Sequence, residues 1–201
     1  GLLGAFARGL DVHRATAAEI FAVTPEAVSA EQRRYAKVIN FGLIYGMSAF
    51  GLAANLGIER SAASSYIERY FARYPGVRRY MDETKQRAKE QGYVETVFGR
   101  RLWLPEINSA QKQRRDGAER AAINAPMQGT AADLIKMAMI AVQEWIEREA
   151  APARLVLQVH DELVLEVPLA SLEPVRERLR ALMTGIAQLK VPLEVEIGAG
   201  P

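Results

Sequence analysis

Four residues are placed to do chemistry together: Arg33, Lys37, Phe41 and Tyr45, each four positions after the last. On a helix, side chains four apart are surface neighbours, so the four would form one slowly drifting stripe. At ~1.5 Å rise per residue the stripe is ~18 Å long, enough to span a triphosphate, a sugar and a base. Its chemistry is graded, with cations first and rings last. Arg offers a planar fork to phosphate oxygens and Lys a compact point charge. An aromatic face gives a base a surface to stack on, worth roughly 1–3 kcal/mol per base. The order suits a nucleoside triphosphate lying along the helix. The same spacing also describes an ordinary basic amphipathic helix whose Phe and Tyr face a core, and periodicity alone leaves both open.

Two other constellations carry polar groups at telling positions. In ERAAINAPMQGTAADLIKMAMI, residues 119–140, Arg120, Asn124 and Gln128 stand four apart in an Ala-rich helix. Such a stripe either faces water or donates to the minor-groove acceptors shared by all correctly paired bases. Pro126 and Gly129 are predicted to disturb this helix, and Thr130 with Asp133 to cap a new one. Residues 134–145 are apolar on most of the helix surface, which marks them as core. In RLVLQVHDELVLEVP, residues 154–168, two strand-like runs (155–159 and 163–167) are separated by His160, Asp161 and Glu162. A carboxylate pair at a hairpin tip is costly to bury unless a cation is bound, and is otherwise a solvated turn. His13, near a helix start, is by itself either structural, solvated or a ligand.

The elements that must position these groups carry local signals. Ser29 followed by Gln32 forms a capping-box pattern, so the helix bearing the first stripe starts there. Before it, residues 1–21 read as a short apolar segment, a turn at 9–11 and a helix, and Thr24 with Pro25 opens a further short helix. Ser48 can cap a short helix ending at Gly57, followed by a second over residues 60–74. Helix, glycine turn, helix is the outline of a DNA-reading helix-turn-helix. The second helix, however, has no cluster of Arg, Asn and Gln for base edges. It reads as a packing helix with Tyr66, Ile67, Tyr70 and Phe71 inward. Residues 76–91 form an amphipathic helix closed by Gly92, and YVETVFGRRLWLP a hairpin turning at Phe98 and Gly99. Residues 171–184 form another amphipathic helix, and VPLEVEIG a final strand joining a sheet.

Composition bounds the remaining classes. The chain has 201 residues, enough for one good core or two small subdomains. No apolar run approaches the ~20 residues that cross a bilayer, and no signal-peptide pattern opens the chain. Cys is absent, which excludes disulfides and thiolate metal sites and fits a reducing cytoplasm. The net charge is only +2, but basic residues cluster at Arg33 and Arg34, Arg78 and Arg79, Arg100 and Arg101, and Arg114 and Arg115. Clusters form local footprints that a net charge hides.

RRYAKVINFGLIYG, residues 33–46, closely resembles the fingers-helix motif R-x-x-x-K-x-x-x-F-x-x-x-Y-G of family A DNA polymerases, at every specified position. The D-V-H-x-x-T-A block at 11–17, the F-G-R-R hairpin at 98–101, the segment 119–140 and V-H-D-E at 159–162 extend the resemblance over essentially the whole chain. It implies an α+β fold: a mainly helical fingers region over residues 1–110 with the hairpin near 93–104, then a palm with an antiparallel sheet over 111–201, its catalytic hairpin at 154–168. It also implies templated addition of deoxynucleotides to a primer 3′ end. His13, Arg33 and Lys37 would hold the triphosphate, with Lys37 also catalytic, and Phe41 and Tyr45 would lie around base and sugar. Arg120, Asn124, Gln128 and His160 would contact the primer–template. Asp161 would be a ligand of two catalytic Mg2+ ions and Glu162 a supporting catalytic carboxylate. Fingers closure would select the matching nucleotide, and Phe41 would disfavour dideoxynucleotides.

In that family a D-Y-S-x-I-E-L-R motif, with the second metal-bridging Asp and a Glu that excludes ribonucleotides, lies upstream of the segment equivalent to residue 1. Neither it nor a thumb or exonuclease domain is in this sequence. The expectation is a fragment with little or no activity alone, acting with primer–template DNA and deoxynucleoside triphosphates, monomeric, cytoplasmic and without a membrane partner. A nucleic-acid-binding module without catalysis and a purely structural α+β domain are the alternatives.

Overall fold

The computed structural model describes residues 2–7 and 9–200. The fold is α+β, with eight α-helices and two antiparallel two-stranded sheets among the described residues. The chain forms two compact units, one running to Glu95 and including Arg101–Pro126, the other comprising Thr96–Arg100 and the chain from Met127 onward. No helix among the described residues is long and apolar enough to cross a membrane.

The first unit contains α1 (Leu2–Ala7), α2 (Val12–Phe21), a 3-10 turn (Pro25–Ala27), α3 (Ala30–Ile44), α4 (Ala49–Leu56), α5 (Arg60–Arg73) and α6 (Pro75–Gln91). The hairpin β1 (Tyr93–Glu95) and β2 (Arg101–Trp103) and the first part of α7 (Lys112–Glu149) complete it. Local chemistry sets the boundaries. The Gln32 N–H donates to the Ser29 hydroxyl at 3.1 Å, and the Ser29 N–H donates back to the Gln32 side chain at 2.9 Å, closing the capping box of α3. The Gly51 N–H likewise donates to Ser48 at the start of α4. Gly57 (φ 63) and Gly92 (φ 78) end α4 and α6 in the left-handed conformation that a Cβ opposes. Ser29→Ala should therefore destabilise this unit by about 0.5–2 kcal/mol, read as a lower urea midpoint at unchanged slope.

Helix α3 is held from both sides. Its inward residues Ala36, Ile39, Asn40 and Leu43 recur at helical spacing. Ile39 and Leu43 pack with Leu52 of α4, Ala63 and Tyr70 of α5, and Tyr74. Ala36 packs with Ala17 and Ala18 of α2 and with Val28. A third cluster, Ala88, Val94, Leu104, Ile107, Ala118 and Ala122, seats the hairpin against α6 and α7. Tyr70 is buried and Tyr66, Ile67 and Phe71 are partly buried, so α5 packs rather than presenting a reading face.

The second unit contains the remainder of α7, β3 (Arg154–Val159), β4 (Glu162–Glu166), a 3-10 turn (Leu169–Ser171) and α8 (Leu172–Thr184). Its core joins Val142 and Trp145 of α7 to Val175 and Leu179 of α8, with Leu163, Leu165 and Val167 leaning in. Glu162, Val164 and Glu166, the alternate residues of β4, face water, as the period of a strand dictates.

Several expectations need correction. Helix α7 runs unbroken through Pro126, although an interior proline removes one backbone bond and costs ~3 kcal/mol. The helix is anchored beside it: Ala122 and Ile123 are buried, and the Tyr80 hydroxyl donates to the Ile123 carbonyl at 3.0 Å. The side chains predicted to cap a new helix are engaged elsewhere. The Val97 N–H donates to Thr130 Oγ1 at 3.1 Å, and Arg100 Nε donates to Asp133 at 2.6 Å. Gly129 permits this approach, since a Cβ there would lie 2.7 Å from Thr96 Cγ2.

Within residues 134–145 only Ala138, Val142 and Trp145 are buried, and Ile140 is exposed. Residues 191–198 keep the alternating burial of a strand but form no ladder. A strand exists only where a neighbouring backbone supplies its hydrogen bonds, and no described segment does so here. The β3–β4 turn is shorter than expected, because Glu162 already pairs with Val159 and leaves only His160 and Asp161 between the strands. The segment opened by Thr24 is a single 3-10 turn without a side-chain cap.

Candidate functional site

Arg33, Lys37 and Phe41 lie on the face of α3 turned away from its core residues, and Tyr45 follows directly at the helix end. Phe41 and Tyr45 are each 40% exposed, although rings of this size usually bury, and so remain available to a ligand. The two rings stack at 6.0 Å between centroids, and the Lys37 ammonium lies 5.8 Å from the Phe41 ring. Gly46 then turns the chain at φ 80, where an added Cβ would meet Ile123 Cδ1 at 2.8 Å.

Helix α2 brings His13 to this stripe. Asp11 is its N-cap, accepting from the N–H groups of His13 and Arg14 at 3.0 Å each. Its other carboxylate oxygen accepts from Arg33 Nε at 2.6 Å, which ties the start of α2 to the first cation of the stripe. Both partners are partly exposed, so the pair fixes the orientation of Arg33 more than it adds stability. With Nε engaged, the outer nitrogens of the guanidinium remain for a phosphate. The His13 ring meets Phe41 at 5.5 Å between centroids, and its Nδ1 is 3.0 Å from the Asn40 amide nitrogen. His13, Arg33, Lys37, Phe41 and Tyr45 thus form one connected group: two side-chain cations, an imidazole and two rings on adjoining helix faces.

Charge in this group follows from its geometry. Burial, chiefly, with the Arg33 and Lys37 cations holds His13 below its ordinary value, against the opposing pull of Asp11. Desolvation pushes the Asp11 carboxyl up. The hydrogen bond from Arg33, those from the Arg14 and His13 N–H groups, and the Arg33 charge together outweigh it and hold the group below its ordinary value. Both folded-state values are depressed, so both contributions to stability are present at neutral pH and vanish on acidification. The His13 contribution is lost as pH falls below 6.5 toward its folded value, and that of Asp11 below 3.8. Urea midpoints measured against pH should show both declines, and His13→Ala should remove the upper one.

Of the remaining sequence-predicted residues, Arg120 comes close to the end of the stripe, its Cγ 3.7 Å from where a Cβ on Gly46 would lie. Arg120 and Asn124 lie on α7 in the first unit, Arg120 exposed and Asn124 half-buried, with Asn124 Oδ1 buried and unpartnered. Gln128, exposed, lies on the continuation of α7 in the second unit. Arg100 and Arg101, candidates for backbone contact, both carry acidic partners: Asp133 and Glu95. His160 and Asp161 form the tip between β3 and β4, with His160 at φ 53 and its carbonyl accepting from Gln158 Nε2 at 2.7 Å. Asp161 and Glu162 are exposed. Among the described residues no three His, Cys, Asp or Glu side chains converge. Two neighbouring carboxylates do not by themselves supply the ligands of a two-ion centre. The donor set present here therefore does not fit that centre.

Sequence reasoning assigned no role to Asp11, Thr16 or Asn40. An Asp directly before a helix is an N-cap signal, so Asp11 could have been found from sequence. Asn40 had no such signal, because its partners are 24 and 27 residues away.

A profile of DNA polymerase family A matches residues 1–201. DNA polymerase I of Pseudomonas aeruginosa is 63% identical over 200 residues, covering 100% of this chain and 22% of the relative. DNA polymerase I of Geobacillus stearothermophilus is 50% identical over 200 residues, covering 100% of this chain and 23% of the relative. The chain thus spans about a fifth of the length of these relatives. Among solved structures, the POL domain of Pol1 from M. smegmatis, in complex with DNA primer-template and dNTP, superposes with a TM-score of 0.92 at 44% identity. That match covers 96% of this chain and 34% of the other. The chain belongs to DNA polymerase family A.

Proposed function

We propose that this chain is the nucleotide-binding and primer-binding portion of a DNA-directed DNA polymerase, which adds deoxynucleotides to a primer 3′ end under template direction. The observation that carries this reading is the exposed stripe of Arg33, Lys37, Phe41 and Tyr45 with His13 at its side. In the reading, Arg33, Lys37 and His13 hold the triphosphate. Phe41 and Tyr45 lie against base and sugar, and Phe41 disfavours dideoxynucleotides. Arg120, Asn124, Gln128 and His160 touch the primer–template. Asp161 and Glu162 serve the reacting end. Residues 1–110 act as fingers and 111–201 as palm, in a cytoplasmic monomer. The complex of the M. smegmatis domain with DNA primer-template and dNTP supports the choice of partners.

Phosphoryl transfer asks a protein mainly for positioning and charge. Two side-chain cations and a hydrogen-bonding imidazole on a rigid helix pair meet that demand, and the stacked rings orient the base. Helix closure over a matching nucleotide would assemble the site only for a correct pair.

The test is primer extension with Mg2+, comparing this chain with a longer polypeptide carrying the upstream D-Y-S-x-I-E-L-R motif and thumb, each with an Asp161→Ala control. Extension only by the longer form, abolished by the control, is expected. A folded longer form that binds duplex but neither binds dNTP nor extends the primer would establish a binding module instead.

A further inference from the structure

We infer that Asn40 is a positioning residue that holds His13 as the neutral tautomer with its proton on Nε2, so that His13 acts as a hydrogen-bond donor and not as a charge. The use of that donor toward a triphosphate rests on the function proposed above, whereas the tautomer itself rests on hydrogen-bond directionality. Asn40 is 5% exposed, on the inward face of α3. Its amide nitrogen lies 3.1 Å from Thr16 Oγ1 and 3.0 Å from His13 Nδ1. Thr16 has one hydroxyl proton, and its Oγ1 donates it to the Val12 carbonyl at 2.8 Å. Toward Asn40, Thr16 can therefore only accept, which turns the amide NH2 toward it.

Flipping the amide would be worse. Oδ1 sits in a sealed position with no partner, and a flip would place two N–H donors there in place of one acceptor. With the orientation fixed, the second amide hydrogen points at His13 Nδ1, which must accept it and so carries no proton. The proton of the neutral ring is then on Nε2, which meets no partner among the described residues.

The same contact opposes protonation. An imidazolium would aim Nδ1–H at the Asn40 N–H, donor against donor. The groups facing the ring from α2 and α3 are Asp11, Arg33 and Lys37, and burial with the two cations also disfavours the charged ring. Phe41, tilted at 5.5 Å, sets the remaining wall. Arg33 and Lys37 thus supply the side-chain charge of the site, and His13 a directed neutral bond.

The experiment is long-range 1H–15N correlation on the 201-residue chain with 15N-labelled histidine, followed against pH. His13 with its proton on Nε2 and a bare Nδ1 is expected, and a proton on Nδ1 in the neutral ring would overturn the inference. Asn40→Asp replaces the donor by an acceptor. It should move the proton to Nδ1 and raise the pH at which His13 titrates, a signature that loss of packing alone would not produce. An unchanged tautomer in a folded Asn40→Asp chain would also overturn it, and if that variant does not fold the wild-type spectrum decides alone. Adding dGTP separates the two claims. An Nε2–H tautomer that ignores the nucleotide upholds the role of Asn40 and removes His13 from the triphosphate site.

Discussion

Lys37→Ala, made in the longer polymerase that carries this segment, should lower kcat/KM for nucleotide incorporation by about 10²–10³-fold, the usual loss when one positioned electrostatic group is removed. The reason lies in what Lys37 does not do in the fold. It is exposed on α3 and makes no ion pair among the described residues, whereas Arg33 is committed at Nε to Asp11. Its intramolecular contact, the Phe41 ring at 5.8 Å, is an exposed cation–π contact of about 0.5–1 kcal/mol. Removing Lys37 should therefore leave the urea midpoint nearly unchanged while the kinetics collapse. Lys37→Arg should restore only part of the rate, since a planar fork does not replace a compact ammonium. Single-nucleotide incorporation kinetics measure both. A loss below tenfold would remove Lys37 from the triphosphate site.

The largest stability effect is expected at Leu43. Its side chain is 1% exposed and packs with Ile39, Leu52, Ala63, Tyr70 and Tyr74, where α3, α4 and α5 meet. Truncation to alanine removes buried methyl groups and leaves a cavity that these rigid partners fill poorly, so Leu43→Ala should cost about 2–5 kcal/mol. Against a total stability of roughly 5–15 kcal/mol, that is a large share. Val38 sits on the same helix but is 43% exposed, and Val38→Ala should cost far less. Urea denaturation of the two variants separates burial from helix propensity, since both residues become the same alanine on one helix. Equal losses would show that α3 is not held by this cluster. The consequence reaches the site, because the core contacts of Ile39 and Leu43 are what turn Lys37 and Phe41 outward.

What the sequence by itself determined are features whose causes lie within a few residues. The capping box of Ser29 and Gln32, the cap at Ser48, and the glycine ends at Gly57 and Gly92 all formed as their local chemistry required. So did the two hairpins and the spacing that puts Arg33, Lys37, Phe41 and Tyr45 in one stripe. The capping bonds close over two to four residues, and each hairpin pairs two strands joined directly by its own turn.

Tertiary structure alone decided features whose partners are remote. Pro126 was an adequate local reason to break α7, yet distant anchoring by Tyr80 and the hairpin tip at Val97 and Arg100 kept the helix whole. Residues 191–198 have the right alternation for a strand, but a ladder partner is not a property of the segment. Within the site, the Asp11–Arg33 pair joins positions 22 residues apart, and the Asn40–His13 contact joins positions 27 apart. Residue types and helical spacing show that such groups share a face. Which atom donates to which is set only when two helices pack, because a hydrogen bond depends on tenths of an ångström that periodicity does not encode.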